Sequence, residues 1–322
     1  MNTVLSRTVS TRIARRSTIG LVLTVAIVTL VAGPAFAGPI VAVGDASLSV
    51  WKAIVLGLVE GITEYLPVSS TGHLLVTSRI LGLPHSGTAG DALKSYEIAI
   101  QFGAIVAVLG LYRHRFVTMI EGVTKRSEEG RRLLFALAVA FVPAAVIGII
   151  GEKVIKSVLF GPGPVIGAWA VGGVLILVLV ARGVINRPGG RALETITTRD
   201  AFIIGVAQVM AMWPGTSRSL VTIVAALLLG ISMASAIEFS FLLGVVTLSA
   251  ATAYSVVKDG KLMVDTFGLL TPTIGLVVAF LAAVVSVRWM VTYLQKHSLA
   301  VFGWYRIAIA AIALVLLVTN TI

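Results

Sequence analysis

The chain has 322 residues, of which 57% are hydrophobic and only 12% charged, with a mean hydropathy of +1.02. A soluble domain carries about 25% charged residues, so a soluble fold is excluded and the chain reads as an integral membrane protein. Lys and Arg outnumber Asp and Glu by 25 to 14 and cysteine is absent, which points the basic excess at cytoplasmic loops and not nucleic acid and rules out disulfides, thiolate nucleophiles and thiolate metal sites.

Residues 1–48 read as an addition in front of the main domain. Arg7, Arg12, Arg15 and Arg16 precede an apolar run over 19–32, and Ala35-Phe36-Ala37 has the small-x-small spacing of a cleavage site. This is the layout of a signal peptide, with an uncleaved signal anchor as the alternative. Arg15-Arg16 is a weak hint of a twin-arginine signal. Either way, residues after about 38 begin outside, and the membrane domain is expected over 49–322.

Apolar segments follow at 51–66, 74–83, 95–112, 133–151, 165–181, 201–213, 220–231, 235–257, 268–291 and 300–319. A full span needs roughly 20 residues. The pairs 51–66/74–83 and 201–213/220–231 fall short, and each is broken by a proline and a polar run, as in re-entrant hairpins. Pro67-Val68-Ser69-Ser70-Thr71 aligns with Pro214-Gly215-Thr216-Ser217-Arg218 at an offset of 147 (214 − 67). Three full spans follow each hairpin, so the second copy is upside down. The expected fold is therefore an all-α integral membrane protein with an inverted-topology repeat, about 50–182 and 200–320. Each half is a re-entrant helical hairpin plus three transmembrane helices.

Loop charges agree with that orientation. The loop 113–132 holds Arg113, Arg115, Lys125, Arg126, Arg131 and Arg132, and 182–200 holds Arg182, Arg187, Arg191 and Arg199. The alternating loops carry fewer: Lys153 and Lys156, then Lys258 and Lys261. The positive-inside rule makes the first set cytoplasmic. The first hairpin then enters from outside, the second from the cytoplasm, and their tips meet near the midplane.

Charges within apolar segments are expensive and normally functional. Here they are Glu60, Glu64, Glu97, Glu238 and Arg218. Glu60 and Glu64 lie one helical turn apart on one face, and Pro67 stops that helix. Ser69, Ser70, Thr71 and His73 make the polar turn that follows. In the second hairpin, Gly215, Thr216, Ser217 and Ser219 surround Arg218, whose planar guanidinium suits phosphate oxygens. Carboxylates from one hairpin and an arginine from the other imply an anionic ligand, with a divalent cation bridging carboxylate and phosphate. The bland readings are a structural ion pair between Arg218 and the glutamates, helix capping by Ser69, Ser70 and Thr71, and an interior histidine at His73. Glu97, with Gln101 one turn on, and Glu238 read as supporting or packing groups. His85, His114 and His297 fall in expected loops.

At these residues the chain resembles the undecaprenyl-diphosphate phosphatases, the bacterial membrane enzymes associated with bacitracin resistance. The matching features are Glu60-xxx-Glu64, Pro67 through His73, Glu97 through Gln101, Pro214 through Ser219, Glu238 through Leu243 and Trp304-Tyr305-Arg306. The resemblance covers about 50–320. It implies hydrolysis of the C55 isoprenoid diphosphate to the monophosphate carrier lipid used in cell-wall synthesis. It also implies a plasma-membrane enzyme with an extracytoplasmic-facing site and a divalent cation, Mg2+ or Ca2+. Carried over by motif, Glu60, Glu64, Ser70, His73 and Arg218 are the functional residues, with Glu60 and Glu64 on the metal. Ser69, Thr71, Gly215, Thr216, Ser217 and Ser219 would bind substrate. Leu220, Gly244-Val245-Val246 and residues 1–48 depart from the family pattern.

The resulting expectation is metal-assisted hydrolysis of a phosphoanhydride. Ser70 is the nucleophile with Glu64 or His73 as its base, or else His73 itself attacks or activates water. Arg218 neutralises charge on the transferred phosphoryl group. Expected partners are the polyprenyl diphosphate and the bilayer, with a homodimer as one option. A phosphatase of the vanadium-haloperoxidase-like type would need a second histidine some six residues after the arginine, where Val224 stands. A transporter or flippase for the carrier lipid fits the repeat equally well and is the alternative function.

Overall fold

The structure is a computed structural model in which residues 48–124, 126–185 and 189–322 are described. Residues 1–47 of the expected signal segment, together with Lys125 and Arg187, lie outside them. The described residues form helices and no strand, apart from one isolated bridge between Arg191 and Ile231. Among the described residues six helices are long and apolar enough to cross a membrane, and the chain is a multi-pass membrane protein.

The first hairpin is α1 (Val50–Thr63) and α2 (Ser70–Ile80), followed by α3 (Gly87–Leu111). Next come α4 (Arg113–Val123), α5 (Glu128–Leu159) and α6 (Pro162–Ala181). The second hairpin is α7 (Thr198–Val209) and α8 (Arg218–Leu228). The chain closes with α9 (Met233–Phe267), α10 (Leu270–Leu294) and α11 (Ala300–Val318). The expected apolar segments all lie on these helices. The helix α4 is an addition, because its mixed polar and apolar sequence fell below the hydropathy that marks a span. It folds back on α5.

Local signals fix the boundaries. Ser127 caps α5 through the Gly130 N–H, and a reciprocal Thr197–Asp200 capping box opens α7. Pro162 sits in the first turn of α6, where its missing N–H costs nothing. The two hairpin tips share a rarer device. Ser69 and Ser217 both adopt φ 74°, a left-handed conformation unusual for serine, and each caps the helix that starts at the next residue.

That device sets the register between the hairpins at 148 residues: 217 − 69 for the caps, 198 − 50 and 218 − 70 for the helix starts. The sequence alignment at 147 was one residue off. It superposed Pro67 on Pro214, whereas the backbone equates the capping serines, so that Ser70 corresponds to Arg218.

Packing follows the same correspondence. The helix α1 lies on α10, and α7 lies on α5; α3 pairs with α9, and α6 with α11. Without a hydrophobic drive between helices in lipid, small residues permit close approach. Gly57 meets the Gly275 backbone and Gly205 meets the Ala140 backbone with no room for a Cβ at either. The two basic loops lie at one end, where Arg115 of α4 bonds Glu238 (2.8 Å), Glu129 and Glu194 (3.2 Å).

Candidate active site

The turn between α1 and α2 brings Glu64 over the start of α2. There the Ser70 hydroxyl donates to Glu64 Oε2. The other carboxylate oxygen accepts from Arg218 Nη2 at 3.0 Å. One carboxylate thus joins a hydroxyl of the first hairpin to the guanidinium of the second. The remaining partners of Arg218 fix its plane. Its Nη1 donates to the Ser240 carbonyl (2.9 Å), and its carbon lies 5.2 Å from the centre of the Tyr65 ring, within cation–π range.

Glu64, Ser70 and Arg218 line a cavity of about 650 Å³ with Ser69, Thr71, Gln101, Gln208 and Ser217. Its other walls are apolar, from α5, α9 and the turn after α7, and include Phe141, Ala144, Met212 and Leu248. Ile149 and Tyr254 also line it and are 82% and 59% exposed, so the cavity reaches the outer surface of the bundle. A cluster of polar groups therefore stands at one part of an apolar chamber that is continuous with the lipid-facing exterior.

Other expected site residues fall elsewhere. His73 is buried and outside the cavity wall. Its Nδ1 is 2.7 Å from the Ser69 carbonyl oxygen and its Nε2 is 2.7 Å from the Tyr305 hydroxyl, while Trp169 packs edge-on against it. Both ring nitrogens are therefore engaged, and neither with Ser70. Gly215 turns away at φ 95° and its carbonyl accepts from Arg306 (2.7 Å). Ser217 and Ser219 donate to the Leu66 carbonyl (3.4 and 2.9 Å), so they tie one tip to the other. Thr216, Gly215 and Ser219 are absent from the cavity wall. Glu238 pairs with Arg115 at the basic end.

Glu60 is fully buried next to this cluster, and neither carboxylate oxygen has a partner among the described residues. Such a group calls for a proton or a cation. No set of three His, Asp or Glu side chains suited to a metal occurs among the described residues. Two carboxylates alone fit Mg2+ or Ca2+ in donor chemistry, since these ions complete their shells with phosphate oxygens and water.

Residues 53–312 match the family model described as bacitracin resistance protein BacA. The chain belongs to this family. It is 44% identical to an undecaprenyl-diphosphatase of Sorangium cellulosum, over 82% of this chain and 85% of the relative. An undecaprenyl-diphosphatase 1 of Burkholderia lata is 43% identical over 80% and 91%, and the enzyme of Methylibium petroleiphilum 42% over 82% and 93%.

Within the family's span lie residues whose part in the site only the fold reveals. Arg306 is fully buried in α11 and donates to the carbonyls of Pro67 (3.4 Å), Ala168 (2.9 Å) and Gly215, so it holds both tips at once. Trp169 donates to the Val68 carbonyl at 2.9 Å, and Tyr305 holds His73. The buried arginine in an apolar helix was a readable signal, because such a charge must find partners. Tyr305 was visible only as part of the Trp304-Tyr305-Arg306 match, and Trp169 gave no signal, since a tryptophan is at home in any membrane helix.

Proposed function

We propose that this protein hydrolyses undecaprenyl diphosphate to undecaprenyl phosphate and inorganic phosphate, within the bacterial plasma membrane. The observation that carries the reading is Glu64 bridging Ser70 and Arg218 on the wall of an otherwise apolar cavity. An anionic head group with a long apolar tail matches that combination. The diphosphate would lie against the polar cluster, and the isoprenoid along the apolar walls toward Ile149 and Tyr254.

In this reading Ser70 Oγ attacks the terminal phosphorus while its proton passes to Glu64. The bond to the bridging oxygen breaks and the lipid monophosphate leaves. Glu64 gives that proton up to the departing monophosphate, then takes one from the water that attacks the phosphoseryl ester and returns it to Ser70 Oγ as the P–O bond breaks and phosphate is released. The engagement of His73 with Ser69 and Tyr305 favours Glu64 as the base and gives His73 the task of holding the tip. Arg218 neutralises charge on the phosphoryl oxygens through its fixed guanidinium. A divalent cation, held by Glu60 and Glu64, would supply further charge neutralisation of the diphosphate.

The site is taken to face the extracytoplasmic side, on the strength of the basic loops that meet at Arg115 and Glu194. The deciding experiment is phosphate release from the C55 diphosphate by the purified full-length protein, with and without chelator. We expect turnover that chelation abolishes and Mg2+ or Ca2+ restores. No phosphate release together with movement of the carrier lipid across proteoliposomes would put transport in its place.

A further inference from the structure

Gln208 is a buried residue for which the mechanism has no use. It is 3% exposed, lines the cavity with Glu64, Ser70 and Arg218, and has no hydrogen-bond partner at either side-chain atom among the described residues. Buried polar atoms are nearly always paired, and one that is not needs an explanation. The apolar neighbours of Gln208 in the wall, such as Ala211 and Met212, offer no side-chain donor and at most a weak thioether acceptor.

Its place in the fold supplies the explanation. At the register of 148, Gln208 is the counterpart of Glu60 (60 + 148). Three residues before each stands a glycine, Gly57 and Gly205, pressed on the backbone of a crossing helix. Each side chain is thereby held at the same turn of an equivalently packed helix. The two differ in surroundings: Glu60 lies out of the cavity wall, whereas Gln208 forms part of it. Glu64 in the same wall is balanced by Arg218; a second carboxylate at 208 would have no such partner and would repel an anion. The carboxamide keeps two N–H donors and carries no charge.

We propose that Gln208 is a substrate-binding residue whose carboxamide nitrogen donates to a non-bridging phosphate oxygen of the diphosphate held by Arg218. The proposal rests on the phosphatase reading, and its test separates the two. The full-length protein and its Gln208→Leu and Gln208→Glu variants are compared in two ways. One is the thermal shift produced by inorganic pyrophosphate with Mg2+; the other is kcat and KM on the lipid diphosphate.

Gln208→Leu removes unpaired polar atoms, so its Tm without ligand should equal or exceed the wild-type value. Its pyrophosphate shift should shrink, and kcat/KM should fall roughly 10- to 100-fold, as for one hydrogen bond to a charged group. Gln208→Glu should lose more, by repulsion. If the leucine variant does not fold, Gln208→Met takes its place. A leucine or methionine variant with wild-type kcat/KM and pyrophosphate shift overturns the proposal while leaving the phosphatase reading intact. A glutamate variant that binds pyrophosphate like wild type, or a wild type with no pyrophosphate shift, overturns it too. Conversely, a wild type that releases no phosphate but shows a pyrophosphate shift lost in Gln208→Leu supports the contact and refutes the reaction.

Discussion

Glu64 carries two obligations, and substitutions there and at its partners separate them. Glu64→Gln keeps the shape but can neither accept the Ser70 proton nor balance Arg218. Turnover should fall on the order of 10²–10⁴-fold, the range for loss of a general base, and a variant with wild-type phosphate release would leave Glu64 a purely structural residue. Ser70→Ala should cost on the order of 10⁴-fold or more if Ser70 is the nucleophile, as loss of a nucleophile does elsewhere. Substantial residual activity would move the attack to water. For Arg218 the informative change is to lysine, which keeps charge and loses the fork. We expect a folded protein slowed by ~10³-fold or more, and a nearly fully active Arg218→Lys would remove the phosphate-clamp role. Gly244 belongs to the same unit. A Cβ there would run into the Arg218 guanidinium, so Gly244→Ala should displace Arg218 and depress kcat even though alanine is the milder residue for a helix. This departure from the family pattern is, in the fold, a space kept for an arginine.

At the scale of elements, the hairpins are the part that sequence made most legible and also the part it misregistered. Their short length, the prolines and the polar runs were all visible, since each breaks a hydropathic pattern. The one-residue slip was not, because positive φ at Ser69 and Ser217 leaves no compositional mark when the residue is serine and not glycine. A serine held there stores about 1–3 kcal/mol of backbone strain, which surrounding contacts must over-determine. Arg306 and Trp169 do so from α11 and α6. Arg306→Leu strips the Pro67 and Gly215 carbonyls of a buried donor, at about 1–3 kcal/mol for each group left unpaired. We expect it to lower Tm and kcat together, with Arg306→Lys recovering part of both. A leucine variant with unchanged Tm would show that the tips are held by other means. His73 shows what a motif leaves out: its place beside two glutamates and a serine turn was readable, whereas the contacts of its two nitrogens, with the Ser69 carbonyl and with the Tyr305 hydroxyl from a distant part of the chain, were not.

For the whole molecule, the absence of cysteine makes topology directly measurable. A single cysteine placed within 116–130 or 186–196 should be shielded from an impermeant thiol reagent in intact cells, and one within 158–163 should react. Labelling of the 116–130 site from outside would overturn both the cytoplasmic assignment of the basic loops and the outward-facing site. The six long helices were legible because length and hydropathy suffice for a span. Their pairing was not, because the contacts are made by glycines and backbone, and small residues are scattered throughout the chain.

The crossing of α1 onto α10, and of α7 onto α5, has a consequence for how the protein is made. Each hairpin rests on a helix of the opposite half, and α10 begins 207 residues after α1 ends (270 − 63). At ~5–20 residues per second of synthesis, the ribosome needs roughly 10–40 s to deliver that support. For most of that interval Glu60, on a 14-residue helix too short to span the bilayer, and Glu64, just past its end, are without Arg218, which emerges only two thirds of the way along the chain. The first residues of the site to be translated are thus among the last to be settled, and nascent chains halted before α10 should be the forms most dependent on insertion chaperones and most exposed to membrane proteases.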